Sequence, residues 1–113
     1  MPRLITVAET PEYLRRAERL LSAAERMDVL AYLAGNPRVG DLIQGTGGVR
    51  KLRWGRGGRG KSGGARVIYY FHSEAMPLYL LTAFGKSERA GLSKAERNDL
   101  AKLVGILKAM AGN

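Results

Sequence analysis

VRKLRWGRGGRGKSGGARVIYYF, residues 49–71, is the stretch whose reading decides the fold. Its centre, Gly55 to Ser62, spells G-x-x-x-x-G-K-S, the pattern of a phosphate-binding loop. Such a loop follows a buried strand and opens a helix, whose first amides hold the phosphates. The upstream half fits, since Val49–Trp54 alternates like a strand. The downstream half does not. Ser62 is followed by Gly63-Gly64 and then by Ala65-Arg66-Val67-Ile68-Tyr69-Tyr70-Phe71, a β-branched and aromatic run that predicts a second strand. No later apolar strand ends in an Asp that could hold magnesium, and 113 residues are few for the parallel sheet such enzymes need. The stretch therefore predicts two strands joined by a glycine-rich, cation-loaded connection.

Working outward, the turn Ser73-Glu74-Ala75-Met76-Pro77 leads into a third strand, Leu78–Phe84, completing an antiparallel meander. Ser93-Lys94-Ala95-Glu96 is a capping box opening a helix whose stripe is Leu100, Leu103, Val104, Leu107 and Met110. Upstream, Leu4–Val7 predicts a short strand. Thr10 caps a helix with Pro11 at its first position, and Tyr13, Leu14, Ala17, Leu20 and Leu21 share one face. Ser22-Ala23-Ala24-Glu25 is another capping box, for a helix stopped by Gly35-Asn36-Pro37. The expected order is β-α-α-β-β-β-α. This is an α+β fold in one domain, 1–113: a small antiparallel sheet packed on an αα-hairpin, with a C-terminal helix.

Charge placement narrows the function. Between Asp41 and Glu74 no acidic residue occurs, yet the stretch holds Arg50, Lys51, Arg53, Arg56, Arg59, Lys61 and Arg66. These seven cations outweigh the remainder, where twelve cations face ten acids, in a chain of net charge +9. A cationic end of this kind implies an anionic partner, nucleic acid first among them. The absence of cysteine excludes disulfides and thiolate metal sites, and a single histidine, His72, leaves no His-rich metal site or Ser-His-Asp triad. No metal or cofactor is expected. No apolar run approaches the roughly 20 residues of a membrane span, and Met1-Pro2-Arg3 opens no signal peptide, so a soluble cytoplasmic protein is expected.

Alternation along strands assigns faces. Leu52, Trp54, Val67, Tyr69 and Phe71 are expected to pack on the αα-hairpin. Lys51, Arg53 and Arg66 then share the second face, with Tyr70 either packed into the core, the stronger expectation, or placed to stack on a base. His72 falls at a strand end, beside a turn, and is expected to be exposed. Such a face suits phosphodiester cleavage by a ribose 2′-OH, which needs proton transfer and stabilisation of a phosphorane-like transition state. Arginine forks grip two phosphate oxygens at once, and a lysine among other cations loses some of its preference for the charged form. The same face equally suits RNA binding without cleavage.

Taken together, GTGGVRKLRW, GRGKSGGARVIYYF and YLLTAFGKSE resemble the HigB branch of the RelE-type toxins of bacterial toxin–antitoxin systems, over about Asn36 to Leu107. The resemblance implies a ribosome-dependent endoribonuclease that cuts mRNA in the decoding site, is held inactive by a cognate antitoxin, and is itself a monomer. Carried over by position, the family's paired basic residues fall on Lys51 and Arg53. Its strand-opening arginine falls on Arg66, and its basic residue after the last strand on Lys86, a candidate proton donor or phosphate contact. Arg50, Arg56, Arg59, Lys61 and Tyr70 are the expected contacts to RNA and ribosome. Some relatives carry a further arginine just after that lysine and a tyrosine beyond it; here those positions are Ser87 and about Ser93. ParE-type gyrase poisons share the superfamily but lack the basic set, which is present here.

Overall fold

The computed structural model describes residues 5–55 and 64–111. The elements are β1 (Val7–Glu9), α1 (Pro11–Leu20), α2 (Ala23–Gly35), β2 (Asp41–Leu42), β3 (Val49–Trp54), β4 (Ala65–Tyr70), β5 (Leu78–Gly85) and α3 (Lys94–Met110). The sheet order is β1-β5-β4-β3-β2, with β1 parallel to β5 and every other pair antiparallel. The expected α+β architecture is present, with the meander β3-β4-β5 at its centre.

Each helix starts where its capping signal lies. Thr10 accepts a hydrogen bond from the Tyr13 amide, and its hydroxyl donates to the Leu80 carbonyl at 2.8 Å, so the cap also docks α1 on β5. Ser22–Glu25 and Ser93–Glu96 both form complete, reciprocal capping boxes. One face of the sheet carries Leu52, Val67, Tyr69, Phe71, Leu78 and Leu80 against Tyr13, Ala17, Val29 and Leu33 of the helical hairpin, with Trp54 at its margin. Burying each of the valine, leucine and phenylalanine side chains among these stabilises the fold by about 1.5–3 kcal/mol.

The edges of the sheet differ from expectation. The first strand is Val7–Glu9, with its register set by Leu78, Tyr79 and Leu80 of β5; of the expected Leu4–Val7 run, Ile5 and Thr6 are not in the strand and Leu4 lies outside the described residues. β2 was not expected: two residues, neither a strong strand former, carry no periodic signal. The turn into β3 holds it in place. The Thr46 hydroxyl donates to the Ile43 carbonyl (2.7 Å) and accepts from the Val49 amide (3.0 Å). Gly48 closes this turn at φ 127°, with the Tyr70 ring 3.2 Å from where a Cβ would stand.

The second face is covered too. α3 lays Val104 and Leu107 over Val49, Ile68, Tyr70, Leu81 and Phe84. A bulge opposite Ile68/Tyr69 shifts the β5 register, so that Leu81, Thr82 and Phe84 are all buried. Arg53 and Arg66, at the end of this face beside the β3–β4 connection, are not among the residues of that cluster.

Candidate active site

That end gathers the cations. Arg53 and Arg66 stand directly opposite each other in the β3–β4 register, and Phe84 of β5 stands opposite Arg66. Like charges in this position repel. Arg66 is only 7 % exposed, and burial first, then the charge of Arg53, push its pKa below the ordinary arginine value. Arg53 is relieved by Asp41, which approaches it at 3.0 Å from β2. With side chains 50 % and 67 % exposed, that pair contributes about 0–1 kcal/mol and exchanges readily for another anion.

Lys86 arrives by a separate route. The Gly85-Lys86-Ser87-Glu88 turn closes on itself: Glu88 accepts the Gly85 amide at 2.7 Å, and its own amide donates to the Gly85 carbonyl. The Lys86 amide donates to the Gly64 carbonyl at 3.0 Å, tying the turn to the throat of the β3–β4 hairpin. A Cβ on Gly64 would collide with the Trp54 carbonyl, so the throat requires glycine. The side chains of Lys86 and Ser87 are left exposed.

Lys51, Arg53, Arg66 and Lys86, the four residues expected to carry chemistry, line one open cavity of about 690 Å3 together with Ser87, Arg89 and Ala90. An adjoining groove of about 450 Å3 runs round the sheet edge past Tyr32, Val39 and Trp54 and shares Lys51 and Arg53 with it. Among the described residues no cluster of His, Cys, Asp or Glu could hold a metal ion, and no helix is long and apolar enough to cross a membrane. The cavity offers binding for a phosphate, charge stabilisation and two primary amines for proton transfer.

Two expected contacts lie elsewhere. Tyr70 is 1 % exposed in the core beneath α3, so it is withdrawn from the RNA-contacting set; its ring stacks on His72 instead of on a base. Arg50 sits on the hairpin side of β3, where it donates to the carbonyls of Arg38 (3.0 Å) and Gly40 (2.8 Å) and holds that loop. Arg56, Arg59 and Lys61 lie outside the described residues. His72 is exposed, as expected.

Two residues were missed. Asp41 marks the upstream edge of the acid-free stretch, yet β2 folds it back onto Arg53. Arg89 lies beyond the motif, but its guanidinium lies over Phe84 at 4.7 Å and bonds Glu96 at the mouth of α3. The one available signal was the second carboxylate oxygen of a capping-box glutamate, free to hold a neighbouring cation.

A model of the RelE toxin of the RelE/RelB toxin–antitoxin system matches residues 38–113, two thirds of the chain, spanning β2 to α3 and all the residues lining the cavity. Toxins of such systems work against an antitoxin partner, and the α+β fold described above is consistent with theirs. The chain belongs to the RelE toxin family.

Proposed function

We propose that this protein is a ribosome-dependent endoribonuclease, of the HigB branch of its family, that cuts mRNA in the decoding site and so stops translation. The observation that carries this reading is the convergence of Lys51, Arg53, Arg66 and Lys86, from two strands and a turn 35 positions apart, on one cavity. In the proposed reaction the ribose 2′-oxygen loses its proton and attacks the adjacent phosphorus. The P–O5′ bond breaks, and the leaving 5′-oxygen takes up a proton. Arg53 and Arg66 grip the non-bridging oxygens, where charge builds in the transition state. Lys51 and Lys86 are the groups that handle the proton. The ribosome's part is to splay the mRNA so that the 2′-oxygen lies in line with the leaving oxygen, a geometry that free RNA rarely holds.

The cognate antitoxin, in this reading, places an acidic or amphipathic segment over the same cationic end. A gyrase-poisoning role is disfavoured by the presence of Lys51, Arg53 and Arg66. The products test the chemistry. Attack by the 2′-OH leaves a 2′,3′-cyclic phosphate on one fragment and a free 5′-OH on the other. Fragments recovered from a reconstituted translation reaction should therefore accept label from polynucleotide kinase without phosphatase treatment. Cleavage of naked mRNA at the same rate, or 5′-phosphate ends, would contradict the proposal.

A further inference from the structure

The cross-strand row Arg53–Arg66–Phe84 does not end at Phe84. Arg89 lies over the Phe84 ring and extends the row of guanidinium groups by one, lining the same cavity. Its hold is asymmetric. Nη1 alone bonds both carboxylate oxygens of Glu96, each at 2.8 Å. Among the described residues the other two nitrogens, Nε and Nη2, make no hydrogen bond. Those two form one of the edges with which arginine grips a phosphate in two parallel bonds.

Glu96 is itself fixed. Its Oε1 accepts the Ser93 amide at 2.8 Å and its own amide donates to Ser93, the capping box of α3. The Ser93 amide first, and Arg89 next, hold its carboxyl below the ordinary range, so it stays charged. A single carboxylate thus caps the helix and clamps the guanidinium, while the Phe84 ring lies beneath its central carbon.

We propose that Arg89 is a further phosphate-gripping residue of this site, and that Glu96 is its positioning residue. The inference rests on the endoribonuclease reading. It also accounts for the serine at position 87: the arginine that some relatives carry after the lysine is replaced by one two positions on, aimed by the helix cap.

The test is single-turnover cleavage of ribosome-bound mRNA, with rate constant and half-saturating protein concentration measured separately and folding followed by thermal melting. Arg89→Ala should lower the rate constant by about 100-fold, the loss typical of one donor to a developing oxyanion. Arg89→Lys keeps the charge without the fork and should lose about ten-fold. Glu96→Gln is the discriminating variant. Glutamine serves a capping box as well as glutamate does, so melting should barely move. The rate constant should nonetheless fall by about ten-fold, as for residues that orient a working group. The double variant should be no slower than Arg89→Ala alone, because both changes remove one device. An Arg89→Ala enzyme within two-fold of the wild type would overturn the proposal. So would additive losses in the double variant, or losses that track melting temperature. If the wild type itself fails to cut, the endoribonuclease reading fails first, and that outcome is visible in the control lane.

Discussion

At the scale of single residues, the site is a balance between two arginines and one aspartate. Arg53 and Arg66 are brought opposite each other by strand register, and Asp41 offsets part of the repulsion without burying it. Replacing Asp41 by Asn frees Arg53 for phosphate. RNA affinity, read by fluorescence anisotropy at low salt, is expected to rise about two- to five-fold, the equivalent of an exposed ion pair. An unchanged or weaker affinity would show that Asp41 does not compete with the ligand. Most of this was legible: alternation along β3 and β4 placed Lys51, Arg53 and Arg66 on one face. Asp41 was not, because its strand is two residues long. Tyr70 was legible only as a choice between core and RNA contact, since alternation assigns a face but not what covers it, and the core position is the one it takes.

At the scale of elements, the helices were legible and the sheet edges were not. Capping boxes are local chemistry, complete within four residues, and both form where Ser22 and Ser93 stand. The β1 register and the β5 bulge depend on partners some 70 positions away or on a neighbouring strand, and no window of sequence contains them. α1 carries a testable consequence. Tyr13 is fully buried, its hydroxyl makes no hydrogen bond among the described residues, and burial raises its pKa from 10.0 to about 12. The folded state therefore holds this proton more tightly than the unfolded chain. Its contribution is intact below pH 10.0 and is lost as pH rises toward about 12. Tyr13→Phe should shrink that alkaline loss while costing less than about 1 kcal/mol at neutral pH, since no bond is broken. Tyr69 and Tyr70, also raised by burial, keep the loss from vanishing. Denaturant melts at pH 8 and pH 11 check both halves; equal alkaline loss in the two proteins would remove Tyr13 from the account.

At the scale of the whole molecule, the sheet has helices on both faces, and the cluster beneath α3 does not include Arg53 or Arg66. Arg53 stays exposed because the α3 stripe meets Val49, Ile68, Tyr70 and Phe84, while Arg53 and the nearly buried Arg66 lie nearer the β3–β4 connection. The apolar stripe of α3 was plain in the sequence; which side of the sheet it would cover was not, since both sides offered apolar residues. The cations lining the cavity predict a steep salt response. Each single-stranded phosphate bound lowers log affinity by about 0.7 per log unit of salt, so two or three contacts give a slope of about −1.5 to −2. A flat response would mean that the cavity does not hold RNA.

The central claim is that this cavity cuts mRNA on the ribosome. The most direct measurement is primer extension on a defined mRNA in a purified translation reaction, comparing the wild type with Arg66→Ala. Arg66→Met is run beside them, to keep the buried stem where alanine would leave a gap. The account predicts new 5′ ends inside the reading frame with the wild type, only when ribosomes are translating. It predicts a loss of about 100-fold or more in both variants, with their folding intact. Equal cleavage by well-folded Arg66 variants, or intact mRNA with the wild type, would contradict it.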